Sequence, residues 1–520
     1  MPRQLHEGGD LCAIFIHAGA GYHSHQNERI HLTAVNDAAK VAMAVLKNGG
    51  EATDAVEMAI RLLEDKEITN AGYGSNLTMD GHVECDATMV DHFGRSGAVG
   101  AISQVKNPIA VARLVLDEST KPLSLQRVPP NLLVGAGATD YAADKGIPIL
   151  PPDFLVSMNA RERWIRWKQD LEDAKEKQAQ TPAKTRTPAP AELEDTSMGS
   201  GPGFSLITPS TSASTMETRL MLSKSPTVRP FRASAADVPT LGDEKITKLP
   251  SRPPTCSLSG IPQEVMVENY LHDRPETATD DNWQWAMSPP KRQKLNGSFD
   301  GMPVSDDVSE SDPASLLGAQ LECADEDDME DGITDTVGAI AVDCFGRIAA
   351  GSSSGGIGMK HKGRCGPAAL VGIGTAVIPI DPEDPTQTCV ATLTSGTGEH
   401  MATTTAAATA ADRIYNSVRK ENGRLMACNE DEAMHSVIKH DFMRHPGVSN
   451  SHCAGAIGIL AVKKTRDGIY FYFGHNTDSF ALGSMHSEER KPVCTMSRSK
   501  GRGTIAQGGR VSRSRYGRFR

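Results

Sequence analysis

The chain is short of apolar residues. At 38% hydrophobic over 520 positions it falls below what a fully globular protein of this size carries, which implies a folded part diluted by a polar, unstructured one. Its ten cysteines form no CxxC pair and keep no regular spacing, so neither a disulfide framework nor a zinc site is expected. No apolar run approaches the ~20 residues that span a bilayer. The opening MPRQLHEGGD lacks the charged-then-apolar pattern of a signal peptide. Positive charge is in deficit as well, and a net charge of −11 offers little non-specific attraction to nucleic acid. What these absences leave is a protein expected in the cytoplasm or nucleus, without metal, cofactor or membrane partner.

The length allows two or three average domains, and composition divides the chain into four stretches. Residues 1–155 read as folded. A strand over 11–17 runs into the loop Ala18-Gly19-Ala20-Gly21. A helix over 33–47 sets Val35, Ala39, Ala42 and Leu46 on one face, with Gly49-Gly50 as its stop. A second helix follows with Val56, Ala59, Ile60 and Leu63, then a strand alternating through Val83, Cys85, Ala87 and Met89. A strand over 97–102 and a helix over 108–117 complete this part.

Residues 156–332 differ in kind. After a charged, exposed helix over 161–180, the composition turns to Ser, Thr, Pro and acidic residues, with Trp283 and Trp285 isolated among them. Such a segment buries too little apolar surface to offset its ordering entropy, so disorder is expected. Folded character returns over 333–490. Strands are expected at 336–342, 347–352, 369–377, 454–462 and 469–473, with one Ala-rich helix over 398–415. Residues 491–520 are set apart as a basic tail that includes Arg513, Arg515, Arg518 and Arg520. Strands clustered with helices outside them predict a layered α/β protein whose core draws on both ends of the chain.

The chemistry centres on Asp335-Thr336-Val337-Gly338. Taken alone, Thr336 is a β-branched residue opening a strand, as any sheet might contain. A hydroxyl is a weak nucleophile that needs a base. A free α-amine, with an ordinary pKa near ~7.7–8.0, suits that task at neutral pH far better than a lysine near ~10.4. Cutting the Asp335–Thr336 bond would therefore give one residue both roles.

The surrounding blocks are more specific. The run from Thr336 through Ser354-Gly355-Gly356, then Gly363-Arg364-Cys365-Gly366 and Ser395-Gly396-Thr397-Gly398-Glu399, resembles the plant-type asparaginase superfamily of N-terminal nucleophile hydrolases. So do His17-Ala-Gly-Ala-Gly21 and Thr69-Asn70-Ala-Gly-Tyr-Gly-Ser75. Within it, HAGAGYHS, TNAG, GSNL, ECDA, the Asp-Thr junction and SGTGEH resemble the threonine aspartase (taspase) branch.

The resemblance implies a four-layer αββα sandwich interrupted by the long insertion, with an α subunit of residues 1–335 and a β subunit of 336–520. It implies that Thr336 is nucleophile and base, and that Ser354 hydrogen-bonds it. Asn70 and Gly19 would line the site, and Ser395 and Gly396 would form the oxyanion hole. Arg364 would grip a substrate carboxylate through its planar fork. Lys360 is a weaker candidate for the same pocket, with a solvated strand-end lysine as the alternative. His17 and His400 are read as structural, because the terminal amine already supplies the base.

Two departures bear on substrate. Asparaginases of this type carry Asp three residues beyond the arginine, to hold a substrate ammonium. Here Pro367 stands at that position, without charge or backbone donor. Asp335 precedes the nucleophile where those enzymes have Gly. Both departures favour a self-processing threonine endopeptidase that cuts protein substrates after Asp, its αβ units pairing as a homo-oligomer. An asparaginase or isoaspartyl peptidase of the same fold is the alternative, and a non-catalytic scaffold the third reading. A cluster at Lys291, Arg292 and Lys294 resembles a nuclear import signal.

Overall fold

The computed structural model describes residues 11–180, 336–501 and 503–513. Asp335, the tryptophans at 283 and 285, the basic cluster at 291–294 and the tail beyond 513 lie outside the described residues, as does the tract over 181–332.

The strands, in chain order, are β1 (Ala13–Gly21), β2 (Cys85–Val90), β3 (Ser96–Ile102), β4 (Leu132–Val134), β5 (Val337–Val342), β6 (Ile348–Ser354), β7 (Thr375–Ile378) and β8 (Cys389–Gly396). They continue through β9 (Val418–Glu421), β10 (Arg424–Ala427), β11 (Ile457–Thr465), β12 (Gly468–His475), β13 (Ser479–His486), β14 (Val493–Arg498) and β15 (Ala506–Ser512). Eight of them form one sheet in the order β14-β13-β1-β5-β6-β2-β3-β4, and five a second, β15-β12-β11-β8-β7; β9 and β10 make a separate hairpin. In the large sheet only the β3–β4 pair is parallel.

Successive side chains on a strand point to opposite faces, and β1 shows what each face meets. Ile14 and Ile16 pack with Val35, Ala39 and Met43 of helix α1 (Glu28–Lys47) and with Val56, Ile60 and Leu63 of α2 (Ala52–Glu64). Phe15, between them, points the other way into a core shared with Ile340, Leu393, Leu460 and Phe480, and stacks on Phe471 with ring centroids 5.1 Å apart. The outer face of the second sheet, through Val390, Ile457 and Ile459, is covered by Ala407, Ala410 and Ile414 of the helix Ala406–Tyr415. Three apolar layers thus separate helix, sheet, sheet and helix, which is the αββα sandwich. The N-terminal β1 sits between β13 and β5, so both ends of the chain build one core.

Several expectations need correction. The basic tail over 491–520 is not wholly a tail: it supplies β14 and β15, the edge strands of the two sheets. Edge strands need a partner on one side only and keep polar residues toward solvent, so their sequences lack an apolar signature. The helix Met158–Gln180 belongs to the folded part, not to the insertion. Its Arg163 is buried and donates to Gly74 O at 3.2 Å, and Trp164 Nε1 donates to Thr78 O at 3.0 Å. The single helix expected over 398–415 is two, Gly398–Thr403 and Ala406–Tyr415, broken where Thr405 takes φ +47°. The hydroxyls of Thr404 and Thr409 bond back to His400 O and Thr404 O, offering the backbone an alternative to a continuous helix. The strand expected over 369–377 shrinks to β7 behind a short 3₁₀ turn, Pro367–Ala369.

Candidate active site

Thr336 immediately precedes β5 and is buried, with 6% of its surface exposed. The β1–β5 ladder ends at His17–Gly338, two residues short of Gly19 and Thr336. The β5–β6 ladder ends at Val337–Ser353, one residue short of Thr336 and Ser354. The start of β5 and the ends of β1 and β6 therefore meet at one end of the central strands of the large sheet.

Ser354 is buried, and its Oγ accepts from Gly356 N at 3.0 Å. Asn70 is fully buried, and its polar atoms are engaged with the loop that follows. Its carbonyl accepts from Gly355 N at 2.7 Å, its Nδ2 donates to Gly356 O at 2.8 Å, and its Oδ1 accepts from Asn76 N at 2.9 Å. Asn70 in this arrangement shapes the glycine turn after Ser354.

The second sheet reaches the same end of the sandwich through β8. Ser395 Oγ accepts from Ala20 N at 3.1 Å, tying the end of β8 to the end of β1. Between His17 and Ala20 the β1–β13 register shifts, and Gly19 takes φ +104° within that bulge. Gly396 lies at φ +142°, and a Cβ there would overlap Ala456 O. Only glycine fits both the conformation and the space. Thr397 N then donates to Ala456 O at 2.8 Å. Gly19, Ser395 and Gly396 are thus brought together from two sheets.

The cationic residues behave differently from one another. Lys360 is not a solvated strand-end lysine, nor an open grip for substrate. It is 2% exposed, and its Nζ donates to Gly355 O at 2.8 Å and to Glu84 O. Burying an ammonium is costly unless it is paired, and these carbonyls engage it in bracing the glycine turn. Arg364 stays nearer the surface and donates from Nε (3.1 Å) and Nη2 (2.7 Å) to Glu399 Oε1. Burial pushes the Glu399 carboxyl up, but the hydrogen bond and charge of Arg364 outweigh it and hold the carboxyl below its ordinary range.

Pro367 is buried, its ring against Gly398. Asp86, on β2 opposite Ser354, accepts from Ala101 N at 2.8 Å and Gly366 N at 2.7 Å. Burial raises its carboxyl in spite of Lys360, those two amides and Arg364.

His17 is fully buried with its ring 5.6 Å from Phe480, and His400 Nε2 lies 3.7 Å from Cys453 Sγ. Among the described residues no group of three or more His, Cys, Asp or Glu could hold a metal ion, and no helix is long and apolar enough to cross a membrane. Two residues of interest carried no role in the sequence reading, Asp86 and Glu399. Both lie inside motifs, ECDA and SGTGEH, but nothing in one sequence pairs Glu399 with an arginine 35 residues earlier.

The set can support acyl transfer: a threonine one register step beyond a strand pair that leads to a serine, glycines held at positive φ where the two sheets are tied together, and a guanidinium packed on the glycine turn after that serine. Comparison with known proteins agrees with that class. A family model described as Asparaginase matches residues 11–200 and 280–477. The isoaspartyl peptidase/L-asparaginase of Danio rerio is 38% identical over 165 residues, 31% of this chain and 49% of that protein. The Homo sapiens protein of the same name is 37% identical over 153 residues, 29% and 46% of the two chains. The plant-type L-asparaginase of Pyrococcus abyssi is 40% identical over 164 residues, 31% and 49%. The chain spans about half the length of the curated relatives it matches. With the family model covering well over half of its residues, the chain belongs to the asparaginase family of N-terminal nucleophile hydrolases.

Proposed function

We propose that this member of the family is a self-processing threonine endopeptidase that cuts protein substrates after Asp. In this reading the Thr336 hydroxyl attacks the Asp335 carbonyl, the acyl group passes from nitrogen to oxygen and frees the Thr336 amine, and water then opens the ester to release the Asp335 carboxylate and restore the hydroxyl. That amine then serves as base while the hydroxyl attacks the main-chain carbonyl of a substrate Asp, releasing the following segment as a free amine and leaving an ester on Thr336 that water opens. Ser395 and Gly396 border the developing oxyanion, and Arg364 meets the Asp side chain. The observation that carries the reading is Pro367. Where an amino-acid amidohydrolase needs a carboxylate for the substrate ammonium, this chain has a buried ring packed on Gly398. A peptide presents an amide there and needs no such partner. Protein substrates in the cytoplasm or nucleus, and αβ units paired as a homo-oligomer, go with this reading.

A second reading, asparaginase or isoaspartyl peptidase, draws on the relatives' names and on Glu399, a mostly exposed carboxylate beside Arg364 that could meet an ammonium. Rates on an Asp peptide, its Asn twin and free asparagine, measured with fully processed enzyme, separate the two. The Asp peptide is expected to lead by about ten- to hundred-fold over its Asn twin, the worth of one charge-assisted hydrogen bond. Fastest turnover of free asparagine would replace the protease with the amidohydrolase.

A further inference from the structure

The Arg364–Glu399 pair is unequal. The arginine side chain is 16% exposed, the glutamate 62%. The space that Arg364 occupies is set by its glycine neighbours as well as by Glu399. Positions where a Cβ would stand on Gly356 and Gly366 lie 2.8 and 2.7 Å from Nη1, and the same position on Gly398 lies 2.7 Å from Nη2. Three glycines therefore leave just enough room for the guanidinium, and any other residue at these positions would push it aside. Asp86, the nearby buried carboxylate, has both oxygens engaged by main-chain amides. Glu399 for its part offers a single oxygen to two donors, a poorer match to the fork than the two parallel bonds a carboxylate can make.

We propose that Glu399 is a resident counter-ion that occupies the Nε–Nη2 edge of Arg364 in the empty enzyme and is displaced by the substrate carboxylate, so that it sets the apparent affinity for acidic substrates. This rests on the reading of Arg364 as the carboxylate grip. A mostly buried guanidinium is stabilised by a counter-ion, and a mostly exposed glutamate returns to water at little cost. The substrate's side chain then takes over the edge with two bonds in place of one shared oxygen. A competitor held by an exposed ion pair shifts an equilibrium constant by about five-fold at most. The glutamate thereby acts as a specificity-determining residue, since a substrate without a carboxylate has nothing with which to replace it.

The test uses processed enzyme and the variants Glu399→Gln and Glu399→Ala, with melting curves to show that both are folded. KM for an Asp peptide should fall about two- to five-fold in both variants, with the smaller change in kcat. The inhibition constant of succinate, as a free carboxylate probe, should fall by a similar factor. A KM that rises or stays level in both variants overturns the proposal, and a rise would mark Glu399 as a support for Arg364 or a partner for a substrate ammonium. Should free asparagine prove the better substrate, the same variants are read on asparagine. A lowered KM there would keep the counter-ion role while the protease reading fails, so the two claims stand or fall separately.

Discussion

Trp167, on the helix Met158–Gln180, covers Gly358 so closely that a Cβ on that glycine would overlap its ring. Gly358 lies between the Gly355-Gly356 turn after Ser354 and the buried Lys360 that braces it. The helix at the mouth of the insertion is thus seated directly on the loop that borders the site. Gly358→Ala should force the ring or the loop to move and cut kcat/KM about ten-fold. Trp167→Ala removes the obstacle, so the double variant should recover much of that loss. A four-member cycle of kcat/KM values reads the coupling. Purely additive losses would mean that the contact does not transmit to the site.

A second prediction concerns Gly396. At φ +142° with Ala456 O where a Cβ would stand, alanine is excluded by both conformation and space. Gly396→Ala should therefore displace the end of β8 and lower kcat by about 100-fold or more, the scale of losing one oxyanion donor. KM should change much less. Steady-state kinetics on processed protein measures the split, and a loss confined to KM would argue that Gly396 serves binding alone.

Processing itself is open to a direct check. Thr336→Ala should remain one chain by mass spectrometry, and Thr336→Ser should still cleave, more slowly. Cleavage of the purified alanine variant between Asp335 and residue 336 would show that the attacking group lies elsewhere.

How far the sequence carries can be judged from individual elements. α2 is legible because Val56, Ala59, Ile60 and Leu63 recur at helical spacing and all four are fully buried. β13 escaped notice although it lies beside β1 in the middle of the core. In SFALGSMH Phe480 and Leu482 face the inter-sheet core while Ala481 and Met485 face the helix side, so both faces are buried and no polar alternation marks the strand. The helix break at Thr405 was hidden because alanine favours helix on both sides of it, while the cause is a run of threonine hydroxyls bonding backward. At the site, the resemblance nominated Thr336, Ser354, Asn70, Gly19, Ser395, Gly396 and Arg364. What it could not supply was occupancy: that Asn70 and Lys360 are engaged with the glycine turn, or that Arg364 holds Glu399. Contacts between residues distant in sequence are set by strand order and register, which local pattern does not encode.

The last prediction turns on Glu64, at the end of α2, wholly buried beneath β6. Burial pushes its carboxyl up to about 8 from an ordinary 4.5, with the nearby polar groups of Ser353, Ile109 and Asn107 offsetting only part of the rise. Its Oε1 accepts from Ile109 N at 3.0 Å, the first turn of α3 (Pro108–Glu118). Between pH 4.5 and about 8 the folded chain therefore keeps a proton that the unfolded chain has released. A state that binds more protons is favoured at low pH, so this group's contribution to stability is complete below 4.5. It declines as pH rises through the window and is gone above about 8. Glu64→Gln retains an oxygen for Ile109 and cannot ionise. The variant should melt close to the parent at pH 5 and several degrees higher at pH 8.5, with the gap opening steadily between. Thermal melts of both proteins across that range measure the difference directly. A gap that stays constant with pH would mean that Glu64 does not titrate in the folded protein, and that its burial is relieved by some contact other than a retained proton.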